Sequence, residues 1–326
     1  VSTEGGTRAV VAALSANLGI GVTKFVAWGL TGASSMLAEA IHSVADSGNQ
    51  VLLLVGARKA RKEATPEHPF GYARYRYYFA FLVAVILFTL GGLFALYEAW
   101  HKFHNPEPIE SWQWVPIAVL VIAMTLEGMS FRTAIKESNK IRGNVGWGRF
   151  IQRSRSPELP VVLLEDFGAL VGLAFAFVGV TMTLITGDGR WDALGTAMIG
   201  ALLVCIALVL ARETREMLLG EAATEEHIAA IRGALADAGY PDVIHLRTVH
   251  IGPEDILVTA KVAAGAEETL AAISARTDDA EARIRAAVPE VRLIFIEPDV
   301  RRDAPLPPDA PHGSGADTPD DSAASS

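Results

Sequence analysis

The stretch Ala40-Ile41-His42-Ser43-Val44-Ala45-Asp46 places an imidazole and a carboxylate four residues apart, inside a run that otherwise reads as membrane-spanning helix. An ionisable side chain at bilayer depth costs about 2.5 kcal/mol or more, so an unexplained pair there marks function by default. Four residues is one helical turn, roughly 6 Å of rise and roughly 40° of rotation, so both groups face the same way. Imidazole nitrogen and carboxylate oxygen are donors that a borderline divalent ion accepts. The pair therefore reads as a metal site at membrane depth.

Around this pair, six apolar runs have spanning length, which is about 20 residues: 9–30, 36–57, 77–100, 114–134, 160–186 and 191–211. The second and fifth are the least purely apolar, because they carry His42 with Asp46, and Glu165 with Asp166. Helices buried inside a bundle have that character. Small-residue pairs such as Gly168 with Gly172, and Gly195 with Gly200, let neighbouring helices approach closely. A content of 51% apolar residues in 326 suits a membrane domain joined to a soluble one.

Loop charges set the expected orientation. Arg58, Lys59, Arg61, Lys62, Arg74 and Arg76 lie between the second and third runs. Lys136, Lys140, Arg142, Arg149, Arg153 and Arg155 lie between the fourth and fifth. The other side has only Lys102 and Arg190, with Lys24 inside the first run and not counted. Both termini are expected in the cytoplasm, 1–8 being a short cytoplasmic segment, and no cleavable leader is expected at 1–6. The basic residues beside membrane runs argue against a nucleic-acid partner. Around Trp147, Phe150 and Ile151 they suggest an amphipathic segment at the lipid surface.

The net charge of -9 is partly a property of the end of the chain, where Asp303, Asp309, Asp317, Asp320 and Asp321 sit among Pro, Gly and Ser. The tail 301–326 has too little apolar content to offset its ordering entropy and is expected to be disordered. Cys205 is the only cysteine, so no disulfide can form within the chain; among Leu, Val and Ile it reads as an inert core residue.

After Gly220 the periodicity changes. Residues 223–239 form an amphipathic helix, with Ile228, Ile231 and Leu235 on one face and Thr224 as N-cap. Strands are expected at 243–251 and 256–263, joined by the turn Gly252-Pro253-Glu254-Asp255. A helix at 267–288 and a strand at 291–296 complete an α-β-β-α-β order, a small α+β domain with helices on one face of a sheet. The expected division is a six-helix all-α membrane domain at 9–218 and a cytoplasmic ferredoxin-like αββαβ domain at 219–300. A domain this small suits dimerisation or regulation better than catalysis.

The combination resembles the cation diffusion facilitator family. Ala38-Glu39-Ala40-Ile41-His42-Ser43-Val44-Ala45-Asp46 looks like that family's second-helix signature, and His68-Pro69-Phe70-Gly71-Tyr72 like the HPxGxx segment after it. The run 154–166, ending Leu163-Leu164-Glu165-Asp166, is more similar to the branch with animal mitochondrial zinc transporters than to bacterial iron/zinc exporters. The resemblance implies a homodimeric, proton-coupled exporter of divalent metals that is not an enzyme. The metal is substrate, Zn²⁺ foremost, and no permanent cofactor is expected. It also implies a multi-pass protein in contact with membrane lipid, expected in a bacterial plasma membrane.

Each candidate has a plainer structural reading. His42 and Asp46 could be a buried hydrogen bond that locks helix packing; carboxylates on another membrane helix favour a metal. The resemblance places Asp166 as the third ligand, but Val162 stands where the family's fifth helix usually carries a histidine. Glu165 is displaced by about 100° around the helix and either reaches the ion or carries protons, or faces a basic group or the helix interface. One nitrogen with two or three carboxylates is a harder donor set than two histidines, which keeps Mn²⁺, Fe²⁺ and Co²⁺ open.

Asn17, Glu39, Asn49 and Gln50 either line the ion's path and orient its ligands, or simply hydrogen-bond between helices. Glu98 and Glu127 read as packing residues. His68 is a candidate for a second metal site, with Tyr72 in place of a partner histidine. His245 and His250, with Phe295 and Glu297 on the last strand, describe a metal-poor soluble domain. Two other classes fit the topology less well: a metal-gated channel, and an intramembrane metalloenzyme, against which the absence of HExxH counts.

Overall fold

The computed structural model describes residues 3–106, 112–143, 145–153 and 158–300; the acidic tail lies outside them. Long helices occupy the first two thirds of the chain: α1 Thr3–Thr31, α2 Ser34–Ala60, α3 Tyr75–Ile86, α4 Phe94–His104, α5 Trp114–Arg142, α7 Glu158–Thr186 and α8 Arg190–Leu219. A π-helical turn, Leu87–Leu93, makes α3 and α4 one continuous rod, and α6 (Trp147–Arg153) is a short helix before α7. Among the described residues, four segments are long and apolar enough to cross a membrane: Tyr75–His104, Trp114–Lys140, Pro160–Thr186 and Arg190–Leu219. The inner face of α2 is polar. Glu39, His42, Asp46 and Asn49 recur every three or four residues and are all buried, while Val44, Val51 and Val55 point outward.

Glycines set the closest helix crossings. A Cβ on Gly195 would lie 2.9 Å from the Phe175 carbonyl oxygen and 3.4 Å from the Gly179 Cα, so α7 and α8 touch backbone to backbone. A Cβ on Gly200 would lie 3.0 Å from the Gly92 carbonyl oxygen, inside the π turn. Helices approach this closely only where side chains are absent. The wide turn beside that crossing, with its Gly91-Gly92 pair, has no counterpart in the apolar periodicity. Leu87, Leu120, Leu173, Ile199 and Leu203 fill the bundle core.

The α2 N-terminus is held from across the bundle. Its own N-cap residue, Ala33, offers no side-chain acceptor. Asp192 of α8 takes over, accepting from the Ser34 N–H at 2.7 Å, the Ser34 hydroxyl at 2.9 Å, the Ser35 N–H at 3.4 Å and the Ser35 hydroxyl. A carboxylate there both satisfies orphan amides and complements the helix dipole.

After Gly220 come α9 (Glu225–Asp237), β1 (Val243–Gly252), β2 (Asp255–Ala263), α10 (Leu270–Ala287) and β3 (Val291–Asp299). Thr224 caps α9 by accepting from the His227 N–H. The sheet order is β1-β2-β3, with β1 antiparallel and β3 parallel to β2. Ile256, Val258, Ala260 and Val262 alternate on the buried face of β2 and meet Ile231, Leu235 and Ile284 of the two helices. The His250 N–H donates to the Glu221 carbonyl at 2.8 Å, tying β1 to the chain leaving α8.

One expectation needs correction. Cys205 is exposed on α8 rather than packed in the core, because the outer surface of this bundle is as apolar as its interior: Leu208 and Val209 are exposed nearby. His250 lies in the sheet, buried at the end of β1.

Candidate functional site

The His42 Nε2 lies 3.3 Å from an Asp46 oxygen, one helical turn away, with the two side chains 1% and 9% exposed. Three further helices converge on this pair. From α7, Glu165 accepts from the Asn49 amide at 2.7 Å. Asp166 is turned toward α5, where the Ser130 hydroxyl donates to it at 3.0 Å. Asp46 is within electrostatic reach of Glu165, Glu127, Lys24 and Asp166. On the α1 side, the Lys24 ammonium sits 2.9 Å from a Glu39 oxygen and donates to Ser43 at 2.9 Å.

These groups share a neighbourhood but are not closed around a point. Among the described residues, no three His, Cys, Asp or Glu side chains are gathered tightly enough to hold an ion. The reason is visible in the partners: Asn49 holds Glu165, Ser130 holds Asp166, and Lys24 holds Glu39. What is left over is concentrated on α2. Both ring nitrogens of His42, one oxygen each of Asp46 and Glu39, and the side-chain oxygens of Asn49 and Gln50 are buried and make no hydrogen bond within the protein. Unsatisfied buried polar atoms cost about 1–3 kcal/mol each, so a cluster of them calls for an explanation beyond packing. The donor set, one imidazole among carboxylates, is able to replace the water shell of a divalent cation.

Of the other sequence candidates, Asn17 is half-buried on α1 and Gln50 half-buried on α2. His68 lies exposed in the α2–α3 loop, its ring 4.5 Å from that of Tyr72 and its backbone paired with Thr65. Three buried charges escaped the sequence reading. The sequence places Lys24 inside the first run and outside the loop count, gives Glu127 a packing role, and does not distinguish Asp192. Glu127 is in fact 5% exposed near the middle of α5. Ionisable residues within spanning runs were the signal that identifies the first two.

Residues 10–219 match the family model of the cation efflux transmembrane domain. The chain belongs to the cation diffusion facilitator family. It is 32% identical over 224 residues to the human mitochondrial proton-coupled zinc antiporter SLC30A9, covering 68% of this chain and 39% of that protein. With metal tolerance protein C4 of Arabidopsis thaliana the identity is 28% over 260 residues, or 78% of this chain and 56% of the relative. The manganese efflux system protein MneP of Bacillus subtilis is 24% identical over 235 residues, covering 70% and 73%. This chain thus spans well under two thirds of the human and plant proteins. These relatives are transporters and metal tolerance proteins; none is named as an enzyme.

Proposed function

We propose that the protein is a proton-coupled antiporter that exports divalent metal cations, Zn²⁺ foremost, from the cytoplasm by alternating access in a homodimer. The observation that carries this is the set of unpaired buried donors on α2 facing carboxylates from α5 and α7. In this reading His42, Asp46 and Asp166 ligate the ion, and Glu165 leaves Asn49 to join them. The human relative is named a proton-coupled zinc antiporter, which supports both the ion and the coupling.

The same reading takes six helical rods, α1, α2, α3 with α4, α5, α7 and α8, as the membrane crossings of a domain at 9–218. The α9-β1-β2-α10-β3 unit is then a ferredoxin-like cytoplasmic domain that pairs two copies, with both termini on the cytoplasmic side of a bacterial plasma membrane. Protons and metal compete for the same lone pairs, so loading requires deprotonated ligands and protonation on the far side drives release. His42 suits that exchange because imidazole ordinarily titrates near neutral pH. Carboxylates reduce the charge cost of carrying a dication through hydrocarbon. Mn²⁺ is the second reading, favoured by the carboxylate-rich donor set and by the manganese relative.

The test is metal flux into vesicles reconstituted with the full chain, with and without an imposed pH gradient. Zn²⁺ uptake against its gradient is expected only when protons flow the other way, and Asp46→Ala is expected to abolish it. Flux that ignores the pH gradient removes the antiport reading. Full flux in Asp46→Ala removes the site.

A further inference from the structure

Lys24 is completely buried, as is its partner Glu39, and the pair stands at 2.9 Å between α1 and α2. A charged pair inside a bundle is poor evidence for stability, because desolvation can cancel the attraction. Its position is more telling. Glu39 and Ser43, the two groups that hold the ammonium, flank His42 in sequence and lie on the same helix. The ammonium is within electrostatic reach of His42, Asp46 and Glu127. The second Glu39 oxygen is buried without a hydrogen bond, directed at Gly172 of α7, where an added Cβ would lie 2.8 Å away. Lys24 is thus a fixed positive charge beside an excess of carboxylates, tied to α2, which carries His42 and Asp46, while its partner Glu39 abuts Gly172 of α7, which carries Asp166.

We propose that Lys24 is a tethered counter-cation of the transport site, an ammonium that repels the incoming divalent ion and so keeps its binding weak enough for release. It is a positioning residue: it holds Glu39 and Ser43 and acts on the ion through space. This rests on the metal-transport reading of His42, Asp46 and Asp166. A site of carboxylates and imidazole with no such charge would bind a dication tightly and turn over slowly. With the ammonium present, some of the cluster's negative charge is already neutralised before the ion arrives.

The test measures equilibrium binding of Zn²⁺ to the full chain in lipid nanodiscs, and flux in vesicles. In Lys24→Gln the Kd for Zn²⁺ is expected to fall about tenfold while maximal flux also falls, with KM and maximal rate both lowered. Lys24→Arg is expected to keep both near the parent values. Glu39→Gln removes the anion and keeps the cation, so its Kd is expected to rise. The double variant Lys24→Gln/Glu39→Gln leaves total charge unchanged and is expected to return close to the parent Kd. A purely structural ion pair predicts lower flux with unchanged or weaker binding in Lys24→Gln and no return toward the parent Kd in the double variant, which overturns the proposal. If the parent protein binds no Zn²⁺ or Mn²⁺ at all, the transport-site reading fails, and this inference fails with it. If the parent binds metal and Lys24→Gln binds it no more tightly, only the inference fails.

Discussion

Two aspartates are buried in the same helical bundle, and they are treated in opposite ways. Asp192 accepts hydrogen bonds on both oxygens, from the backbone and hydroxyls of Ser34 and Ser35, and its own N–H is held by Thr183 at 3.0 Å. Asp46 has His42 at 3.3 Å on one oxygen and no hydrogen bond on the other, with further carboxylates nearby. Burying a carboxylate is costly in both places. At Asp192 the protein offsets that cost with its own donors, and the residue is a rivet between α8 and the start of α2. At Asp46 part of it is left unmet, which is what a site must do if a passing cation is to supply the missing interaction. Satisfaction, more than burial, separates the structural carboxylate from the functional one.

The sharpest way to break this contrast is to neutralise each aspartate and read both flux and thermal stability. Asp46→Asn is expected to lower Zn²⁺ flux by about a hundredfold or more, with thermal stability unchanged or raised, since it removes a poorly satisfied charge. Asp192→Ala is expected to cost about 2–4 kcal/mol of stability, because it strands the Ser34 and Ser35 donors in the interior, while Zn²⁺ affinity of the folded fraction stays near the parent value. Thermal unfolding in detergent and equilibrium Zn²⁺ binding check the two halves. An Asp46→Asn protein that melts far below the parent would erase the distinction.

A smaller effect is expected at Glu165. It is intermediate between the two aspartates: one oxygen is taken by Asn49 at 2.7 Å, yet it stands beside Asp46. If it joins the ion during transport, Glu165→Gln should raise the Zn²⁺ Kd about tenfold, and Asn49→Ala, which frees the carboxylate, should not. If the Asn49 bond is purely a helix fastener, both substitutions should lower stability and leave affinity alone. Measuring the two variants together decides which side of the contrast Glu165 belongs to.

The elements of this chain were legible to different degrees, for physical reasons. The α2–β3 outline follows from apolar run lengths and from the change to strand alternation after Gly220, as at Ile256, Val258, Ala260 and Val262. The nearness of His42 and Asp46 follows from helical spacing alone. The π turn at Leu87–Leu93 was hidden because it depends on α8 crossing at Gly200, a contact over 100 residues away in sequence. The partners of Glu165 and Asp166 were equally hidden, since hydropathy gives no rotation for a helix whose every face is apolar. Cys205 was misplaced for the same reason: in a membrane bundle an apolar environment describes the lipid side as well as the core. Lys24 and Asp192 were readable as charges in apolar surroundings, but only three-dimensional packing tells which of them is satisfied by α2 backbone and which stands beside the site.

The contrast can be refined with a third carboxylate that is satisfied but not deeply buried. Glu268, just before the N-cap of α10, accepts from the Gly265 N–H at 2.6 Å and pairs with Arg276 at 2.6 Å. The Gly265 amide, and then the Arg276 guanidinium, hold its carboxyl below the usual glutamate range. A carboxyl lowered on folding adds stability that is present above its unfolded value of about 4.5 and is lost as pH falls through the folded value. Its side chain is 32% exposed, so solvent screening keeps the effect small. Glu268→Gln is therefore expected to speed amide exchange at Gly265 and in the first turn of α10 by a few-fold at neutral pH. The difference should close as the medium is taken to about pH 3, once exchange rates are corrected for their intrinsic pH dependence. A gap that persists at low pH would assign the effect to shape instead of charge. Asp192→Ala, at a carboxylate that accepts from the amides and hydroxyls of both Ser34 and Ser35 and is only 1% exposed, should have a far larger effect on stability.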